Sequence, residues 1–391
     1  MPGSTRSYEM AKRLVQLGHT VNLVTSRRES GTDIRWEVTN ESGITVHWIC
    51  IPYSNKMEFF QRLYAFLMFT FYAGIRAATI TSSDIVFATS TPLTIAFPAI
   101  YAKWKLSIPM VLEVRDLWPE VPIAMGVLKN PILKSIAKFI EKFAYKKATT
   151  IVALSPDMRD GIVKNGYPYD KVVVIPNGSD LELYSPSLRD RFQFRDKHGI
   201  PKESTLMVYA GTLGKVNGTG YLVHLANQML DDSRFYILII GDGSEYDEVY
   251  SLAKNSRCLG KNLQILKPVP KMHMKQVFVA ADIVVSTIIP IKALEANSAN
   301  KVFDGMAAGC CIAINHGGWL SKVLQDSDAG VVLSANVHES AEKIRALINS
   351  PDMLIRMKKN AFALAQKTFS RDILASQLME VLENAIKKKR Y

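Results

Sequence analysis

The chain has 391 residues, 48% of them hydrophobic and 21% charged, which is enough material for two globular domains, each with its own core. Its net charge of +12 points to an anionic partner: nucleic acid, an anionic membrane surface or a phosphorylated substrate. The four cysteines, Cys50, Cys258, Cys310 and Cys311, have no CxxC or Cys/His spacing, so the composition argues against a disulfide scaffold or a zinc module and for buried thiols.

The N-terminus MPGSTRSYEM has no apolar core and reads as no signal peptide. Gly3 to Leu17 reads as a Gly-rich turn followed by a helix carrying Tyr8, Met10, Ala11, Leu14 and Val15, ended at Gly18. Strand-like runs then fall at Val21–Val24, Thr45–Ile51, Ile85–Ala88, Pro109–Val114, Thr150–Ala153 and Val172–Ile175, with helical patterns between them. The second half repeats the alternation at Leu206–Ala210, Tyr236–Ile240, Leu263–Leu266, Ile283–Val285, Cys311–Ile314 and Gly330–Leu333. Such alternation predicts an α/β protein with two doubly wound, Rossmann-like domains. Their expected extents are 1–185 and 186–370, with a C-terminal helix and basic tail over 371–391 that can return to the first domain.

Two helices bear on membranes. Phe59–Ile75 is apolar and aromatic, but Gln61, Arg62 and Arg76 leave its clean run too short for a bilayer, so it is expected as a core or interface helix, with an interfacial helix on lipid as the other option. In NPILKSIAKFIEKFAYKK, Lys134, Lys138, Lys142 and Lys146 recur every four residues and are expected opposite Ile132, Leu133, Ile136, Ile140 and Phe143. With the tail Lys387–Arg390, this stripe suits either solvent or anionic lipid.

The loops after strands carry the chemistry. EVRDLWPE puts Arg115, Asp116 and Glu120 at the carboxyl end of a strand, where a ligand crevice is expected; an Arg–Asp pair that only holds the loop is the other reading. In IPNGSDLELYSP, Asn177 and Gly178 suit a tight turn with positive φ. Gly211, Gly214, Gly218 and Gly220 allow backbone amides to approach a phosphate, and Gly241-Asp242-Gly243 closes the next strand in a similar turn. From Ile283 a buried strand breaks into a loop with Glu295, Asn297, Ser298 and Asn300, then becomes a helix that Ser298 or Asn300 can cap, with Lys301 and Asp304 in its first turns. A helix N-terminus with a lysine beside it suits a diphosphate, and two carboxylates nine residues apart, Glu295 and Asp304, can accept from vicinal hydroxyls. A diphosphate between two polyols describes a nucleotide sugar. Asp326-Ser327-Asp328 matches a metal-binding DxD by letter only, since it sits at a predicted helix end, and the seven histidines lack metal spacing. No aromatic-basic motif supports nucleic acid.

The segment ANSANKVFDGMAAGC…GGW resembles the donor-site signature of the retaining GT-B glycosyltransferases of family 4, in the branch acting in bacterial O-antigen and capsule assembly, with fucosamine transferases as the nearest relatives. The resemblance extends over nearly the whole chain and implies two domains facing a cleft. It implies donor contacts from Gly3, Gly211, Thr212, Gly214, Lys215, Asn217, the Gly241-Asp242-Gly243 loop, main-chain groups around Val269, and Glu295, Asn297, Ser298, Asn300, Lys301 and Asp304. Asp304 takes the ribose-binding position. Glu295 stands one residue out of register with the family's donor-sugar acid. Thr212 and Asn217 stand where many relatives place an arginine and a lysine, so Lys301, with Lys215, is expected to carry the diphosphate. DLWPE resembles the acceptor loop, with Asp116 positioning the acceptor hydroxyl, Arg115 holding an anion and Glu120 nearby. Relatives also have a first strand before the turn in which this chain begins, so an upstream start or a truncation is expected. The implied activity is metal-independent, cofactor-free retaining transfer from a nucleotide diphosphate sugar, N-acetyl-L-fucosamine being one candidate, to a polyprenyl-diphosphate-linked saccharide. It would occur in the cytoplasm at the inner face of a bacterial plasma membrane, with no role for nucleic acid. A sugar-nucleotide epimerase and a non-catalytic partner subunit remain open.

Overall fold

The computed structural model describes residues 6–27, 35–53, 57–90, 92–184 and 188–390; Gly3 lies outside them. The chain forms two compact units, Met1–Pro176 with Leu374–Tyr391, and Asn177–Ile373.

The first unit contains β1 (Asn22–Arg27), β2 (Trp36–Glu41), β3 (Ile44–Cys50), β4 (Val86–Thr89), β5 (Met110–Val114), β6 (Thr150–Ala153) and β7 (Val172–Val174). Its helices are α1 (Arg6–Gln16), α2 (Phe59–Ala78), α3 (Ala96–Leu106), α4 (Glu120–Ala124), α5 (Pro131–Lys147) and α6 (Pro156–Lys164). The strands make two sheets rather than one, ordered β1-β3-β2 and β4-β5-β6-β7. β2 was absent from the sequence reading. It pairs antiparallel with β3 through a two-residue turn in which Ser42 and Gly43 take φ of 53° and 82°, the left-handed pair that matches the twist of a hairpin. All other pairings are parallel, and β1 and β4 each end their sheets.

The core of this unit joins Val111, Val152 and Ile175 to Met10 of α1 and to Leu374, Ala375, Leu378 and Val381 of the last helix, α15 (Arg371–Arg390). Arg6 is buried there. Its Nε donates to Glu113 at 2.7 Å and its NH2 to the Ile175 carbonyl at 2.8 Å, while Thr89 Oγ1 donates to the other Glu113 oxygen at 2.7 Å. A buried charge needs this degree of satisfaction to be tolerated.

α5 begins at Asn130, whose side chain accepts from the Ile132 and Leu133 amides, with Pro131 in the first turn. Only Ala137, Glu141, Ala144 and Tyr145 are buried. Lys138, Lys142 and Lys146 are exposed, but so are Ile132, Leu133, Ile136 and Phe139; the basic and apolar stripes lie side by side on the outward arc, not opposite one another. α2 likewise differs from a simple core helix: Ala65 and Ala73 are buried, whereas Tyr64, Leu67, Phe71 and Ile75 are exposed. Among the described residues no helix is long and apolar enough to cross a membrane.

The second unit contains β8 (Thr205–Ala210), β9 (Phe235–Ile240), β10 (Leu263–Leu266), β11 (Ile283–Ser286), β12 (Cys311–Ile314) and β13 (Gly330–Val332). Its helices are α7 (Leu188–Lys197), α8 (Gly220–Gln228), α9 (Tyr246–Asn255), α10 (Lys271–Ala280), α11 (Asn300–Ala307), α12 (Trp319–Ser327), α13 (Val337–Ile348) and α14 (Pro351–Lys367); α15 (Arg371–Arg390) starts at its end. The six strands form one parallel sheet ordered β10-β9-β8-β11-β12-β13. Alternate residues feed two cores: Val208, Leu238, Val284 and Ile312 meet α7, α10, α11 and α14, while Met207, Ile237, Val285 and Ala313 meet α8, α9 and α13. α11 sits close on β11, since a Cβ on Gly305 would lie 2.7 Å from Val284 Cβ. Strand order reverses between β8 and β11, the place where doubly wound sheets open a ligand crevice at their carboxyl ends. Gly178, expected in a positive-φ turn, takes no positive φ, and the next residue, Ser179, bridges Ser370.

Candidate functional site

The loops leaving β8, β9, β11 and β12 converge at that reversal. Two glycine loops are built against each other. The Gly211 amide donates to the Ile240 carbonyl and the Leu213 amide to the Asp242 carbonyl, both at 2.9 Å. A Cβ on Gly241 would meet the Gly211 carbonyl at 1.8 Å, and Gly243, at φ 158°, sits 2.3 Å from the Leu213 carbonyl by the same construction. These glycines serve close backbone approach. Asp242 organises its own turn, accepting from the Gly243 amide at 2.9 Å. Lys215 and Asn217 lie in a short 3-10 turn after Gly214, and the Asn217 carbonyl accepts from Thr287 Oγ1 at 2.6 Å, joining this loop to the end of β11. Thr212 and Lys215 are exposed, and Val269 is half-buried against the core.

Lys301 stands beside Gly211. Its Nζ lies 3.8 Å from the centroid of the Tyr209 ring and 2.9 Å from where a Gly211 Cβ would be. Burial lowers its pKa to about 7, and no carboxylate partner of Lys301 occurs among the described residues. An ammonium on an aromatic face with no counter-ion, at the N-terminal turn of α11, is arranged for an anion from outside the chain.

The caps of α11 differ from expectation. Ala299 is the N-cap and no side chain caps the helix. Ser298 is instead buried, its Oγ accepting from the Asn177 amide at 3.1 Å, and Asn300 is exposed. The chain before the helix is therefore held by backbone pinning rather than by a cap. Asp304 accepts from Ser179 Oγ at 2.7 Å and is bonded to the Tyr184 hydroxyl, whose pKa is raised first by burial and then by the Asp304 charge. A carboxylate has room for further donors beyond these.

Glu295 accepts from Lys292 Nζ at 2.6 Å and packs on Gly317, where an added Cβ would lie 3.1 Å from its Oε2. Gly317 follows His316, which is buried. His316 Nδ1 lies 2.7 Å from the Gly317 carbonyl, an oxygen that can only accept, so the ring proton sits on Nδ1 and Nε2 is a bare acceptor. Burial lowers the His316 pKa against the Gly317 carbonyl and the Glu295 charge, which raise it. His316 Nε2 and Asn297 Oδ1 are both buried without a hydrogen-bond partner. Orphaned buried acceptors of this kind call for a polar ligand.

The sequence reading placed the Gly317-Gly318-Trp319 segment in the donor signature but gave Trp319 and the adjacent His316 no role, and it did not name Tyr209 or Asn315. Asn315 exchanges hydrogen bonds with Ile288 at 2.9 and 3.0 Å, and Trp319 Nε1 donates to the Asn297 carbonyl at 2.8 Å. Nothing local marks such residues; their partners are remote in sequence.

In the first unit, β5 ends in the Arg115-Asp116 loop. The Arg115 amide donates to Ser90 Oγ at 3.1 Å, the Arg115 side chain is half-buried, Asp116 is exposed and Glu120 opens α4.

Family models match both units: a glycosyl transferase 4-like domain over residues 3–178 and a glycosyl transferases group 1 domain over residues 190–363. A D-inositol 3-phosphate glycosyltransferase of Corynebacterium aurimucosum is 23% identical over 315 residues, 74% of this chain and 72% of that one. HepE of Anabaena, solved with UDP-glucose, is similar in fold with a TM-score of 0.68 at 19% identity, over 88% of this chain and 87% of that one. WaaG, a glycosyltransferase involved in lipopolysaccharide biosynthesis, gives 0.69 at 14% identity, over 96% and 95%. The two matched domains together span most of the chain and coincide with two Rossmann-like units, and the chain is accordingly a GT-B glycosyltransferase of the family 4 type.

Proposed function

We propose that this protein transfers a sugar with retention, and without a metal, from a nucleoside diphosphate donor to a polyprenyl-diphosphate-linked saccharide in O-antigen or capsule assembly, with N-acetyl-L-fucosamine as the first sugar to test. The observation that carries the donor side is Lys301, a desolvated ammonium on the Tyr209 ring with no carboxylate partner among the described residues. In this reading Lys301 and backbone donors of the glycine loops hold the diphosphate and stabilise its charge as the bond to the sugar breaks. Asp304 takes the ribose, and main-chain groups around Val269 take the base. Glu295, Asn297 and His316 take sugar hydroxyls, the two orphaned acceptors among them gaining partners. Asp116 orients the acceptor hydroxyl and Arg115 an anion. The acceptor oxygen forms the new bond on the face the diphosphate leaves, and its proton passes to a phosphate oxygen of the donor.

The involvement of WaaG in lipopolysaccharide biosynthesis supports a lipid-linked acceptor and, with it, a location at the inner face of the plasma membrane. The inositol phosphate relatives make a phosphorylated polyol the competing acceptor. The test is calorimetric binding of a panel of nucleoside diphosphates and their sugars, without added metal, to the wild type and Lys301→Ala. Micromolar binding of one base, weakened at least about 30-fold in the variant, supports the donor site. No binding by a folded chain overturns it in favour of a non-catalytic subunit. Transfer assays with lipid-linked and inositol phosphate acceptors then decide between the acceptors.

A further inference from the structure

A water-facing helix normally presents polar residues outward. α2 does the reverse: Tyr64, Leu67, Phe71 and Ile75 are 65%, 53%, 63% and 47% exposed, and at 100° per residue they fall on one narrow stripe. The stripe continues onto α3. Gly74 brings the two helices together, a Cβ there lying 3.7 Å from the Tyr101 ring, and Tyr101 in turn lies 6.0 Å from Trp104, which is 73% exposed. From α3 the aromatic contacts run on to α5 through Phe97 and Phe143 at 6.4 Å and Phe143 and Phe139 at 6.3 Å, ending at Phe139, 70% exposed, with Ile132 and Ile136 beside it. Three helices thus share one uncovered apolar face, far beyond the scattered apolar residues of an ordinary surface.

Its border is basic. Lys138, Lys142 and Lys146 run along the edge of the apolar arc on α5, and Lys103 and Lys105 close α3. No acidic side chain occurs in α2 or α3, and the one in α5, Glu141, points inward and is buried. A second protein surface would be expected to be apolar and neutral at its centre. An apolar centre with aromatic residues and a lysine border is instead complementary to an anionic lipid interface, where rings and aliphatic groups enter the acyl boundary and ammonium groups meet phosphates.

We propose that the face formed by α2, α3 and α5 is the surface by which this protein docks on an anionic bilayer. It lies in the plane of the interface and does not cross it. This deepens the membrane location proposed above and rests on that reading for its biological setting, but not for its physical argument. The docked face belongs wholly to the first unit, so nucleotide binding in the second unit reports separately on the donor site.

The experiment is flotation of the full chain with phosphatidylcholine vesicles, with and without phosphatidylglycerol, with no nucleotide or acceptor present. Wild type is expected to float with the phosphatidylglycerol vesicles. Lys138→Glu/Lys142→Glu should weaken binding at least about twentyfold, from roughly fivefold per lysine removed. Leu67→Glu/Phe71→Glu should abolish it; both positions are exposed, so the variants keep the fold, and unchanged nucleotide affinity and circular dichroism verify this. Quenching of indole fluorescence by brominated lipid, lost in Trp104→Phe, is expected if the face enters the acyl boundary. Failure of wild type to float, floating unaffected by the apolar substitutions, or a dimer in sedimentation that Leu67→Glu/Phe71→Glu dissociates while vesicles are ignored, each overturns the proposal. Loss of nucleotide binding with vesicle binding retained would overturn the donor reading alone.

Discussion

Burial holds the Lys301 ammonium near pKa 7, some way below the usual lysine range, and this has two measurable signs. The unfolded chain binds a proton at this lysine up to about pH 10.4 that the folded chain has largely released above 7, so its contribution to stability rises with pH between those values. A bound diphosphate beside Nζ would raise the pKa again. Nucleotide binding at pH 8 is therefore expected to take up close to one proton, read from heats in buffers of different ionisation enthalpy, and Lys301→Met should remove the uptake. Arg195 poses the opposite case. It is fully buried, yet its guanidinium donates to the Ala280, Lys202 and Ser204 carbonyls and to Asp282 at 2.7 Å, and Asp282 also accepts from Arg191 and Lys358. Arg195→Ala takes one of three cations from Asp282, which keeps Arg191 and Lys358, and leaves the Ala280, Lys202 and Ser204 carbonyls without this donor; it should cost roughly 3–5 kcal/mol in urea unfolding while leaving nucleotide affinity per folded molecule unchanged. Neither the pinning by Arg195 nor the ring under Lys301 was legible in sequence, because both depend on partners brought from other strands.

At the scale of elements, the twelve strands other than β2 were legible from their apolar β-branched runs, and β2 alone was not. Its residues WEVTNE carry too many polar groups to stand out, and the Ser42-Gly43 turn is its only clear signal. α5 was legible as a helix but not in its facing. Which arc of a helix is inward depends on what packs there, and here the seam is Ala137, Glu141, Ala144 and Tyr145. Glu141 accepts from the Tyr145 hydroxyl at 3.0 Å and the Asn165 side chain at 3.3 Å. Burial, with the charge of Glu120 adding and Tyr145 and the nearby lysines opposing, raises its pKa to about 7. The folded state keeps a proton that the unfolded chain releases near pH 4.5, so this group's contribution falls as pH rises from about 4.5 to 7. Glu141→Gln is expected to flatten that slope and to leave the protein more stable than wild type above pH 7, by roughly 1–2 kcal/mol in denaturation profiles across pH.

At the scale of the whole molecule, the chain begins in one unit, passes into the other at Pro176 and returns at Leu374. Leu374, Leu378 and Val381 complete the core of the first unit, and full burial of three such side chains amounts to roughly 5–8 kcal/mol, comparable with the entire stability of a domain. Removal of residues 374–391 is expected to make the first unit susceptible to limited proteolysis while a fragment beginning near Asn177 survives.

The sequence by itself determined the α/β alternation, the glycine loops and the lysine placed at a helix start after a buried strand, because these are local patterns of periodicity and backbone freedom. Only the tertiary structure decided that Tyr209 lies under Lys301, that His316 and Asn297 keep unpaired acceptors, and that the apolar side of α2 faces outward. Each of these depends on the partner a side chain meets across the fold, and a partner distant along the chain leaves no period in the sequence.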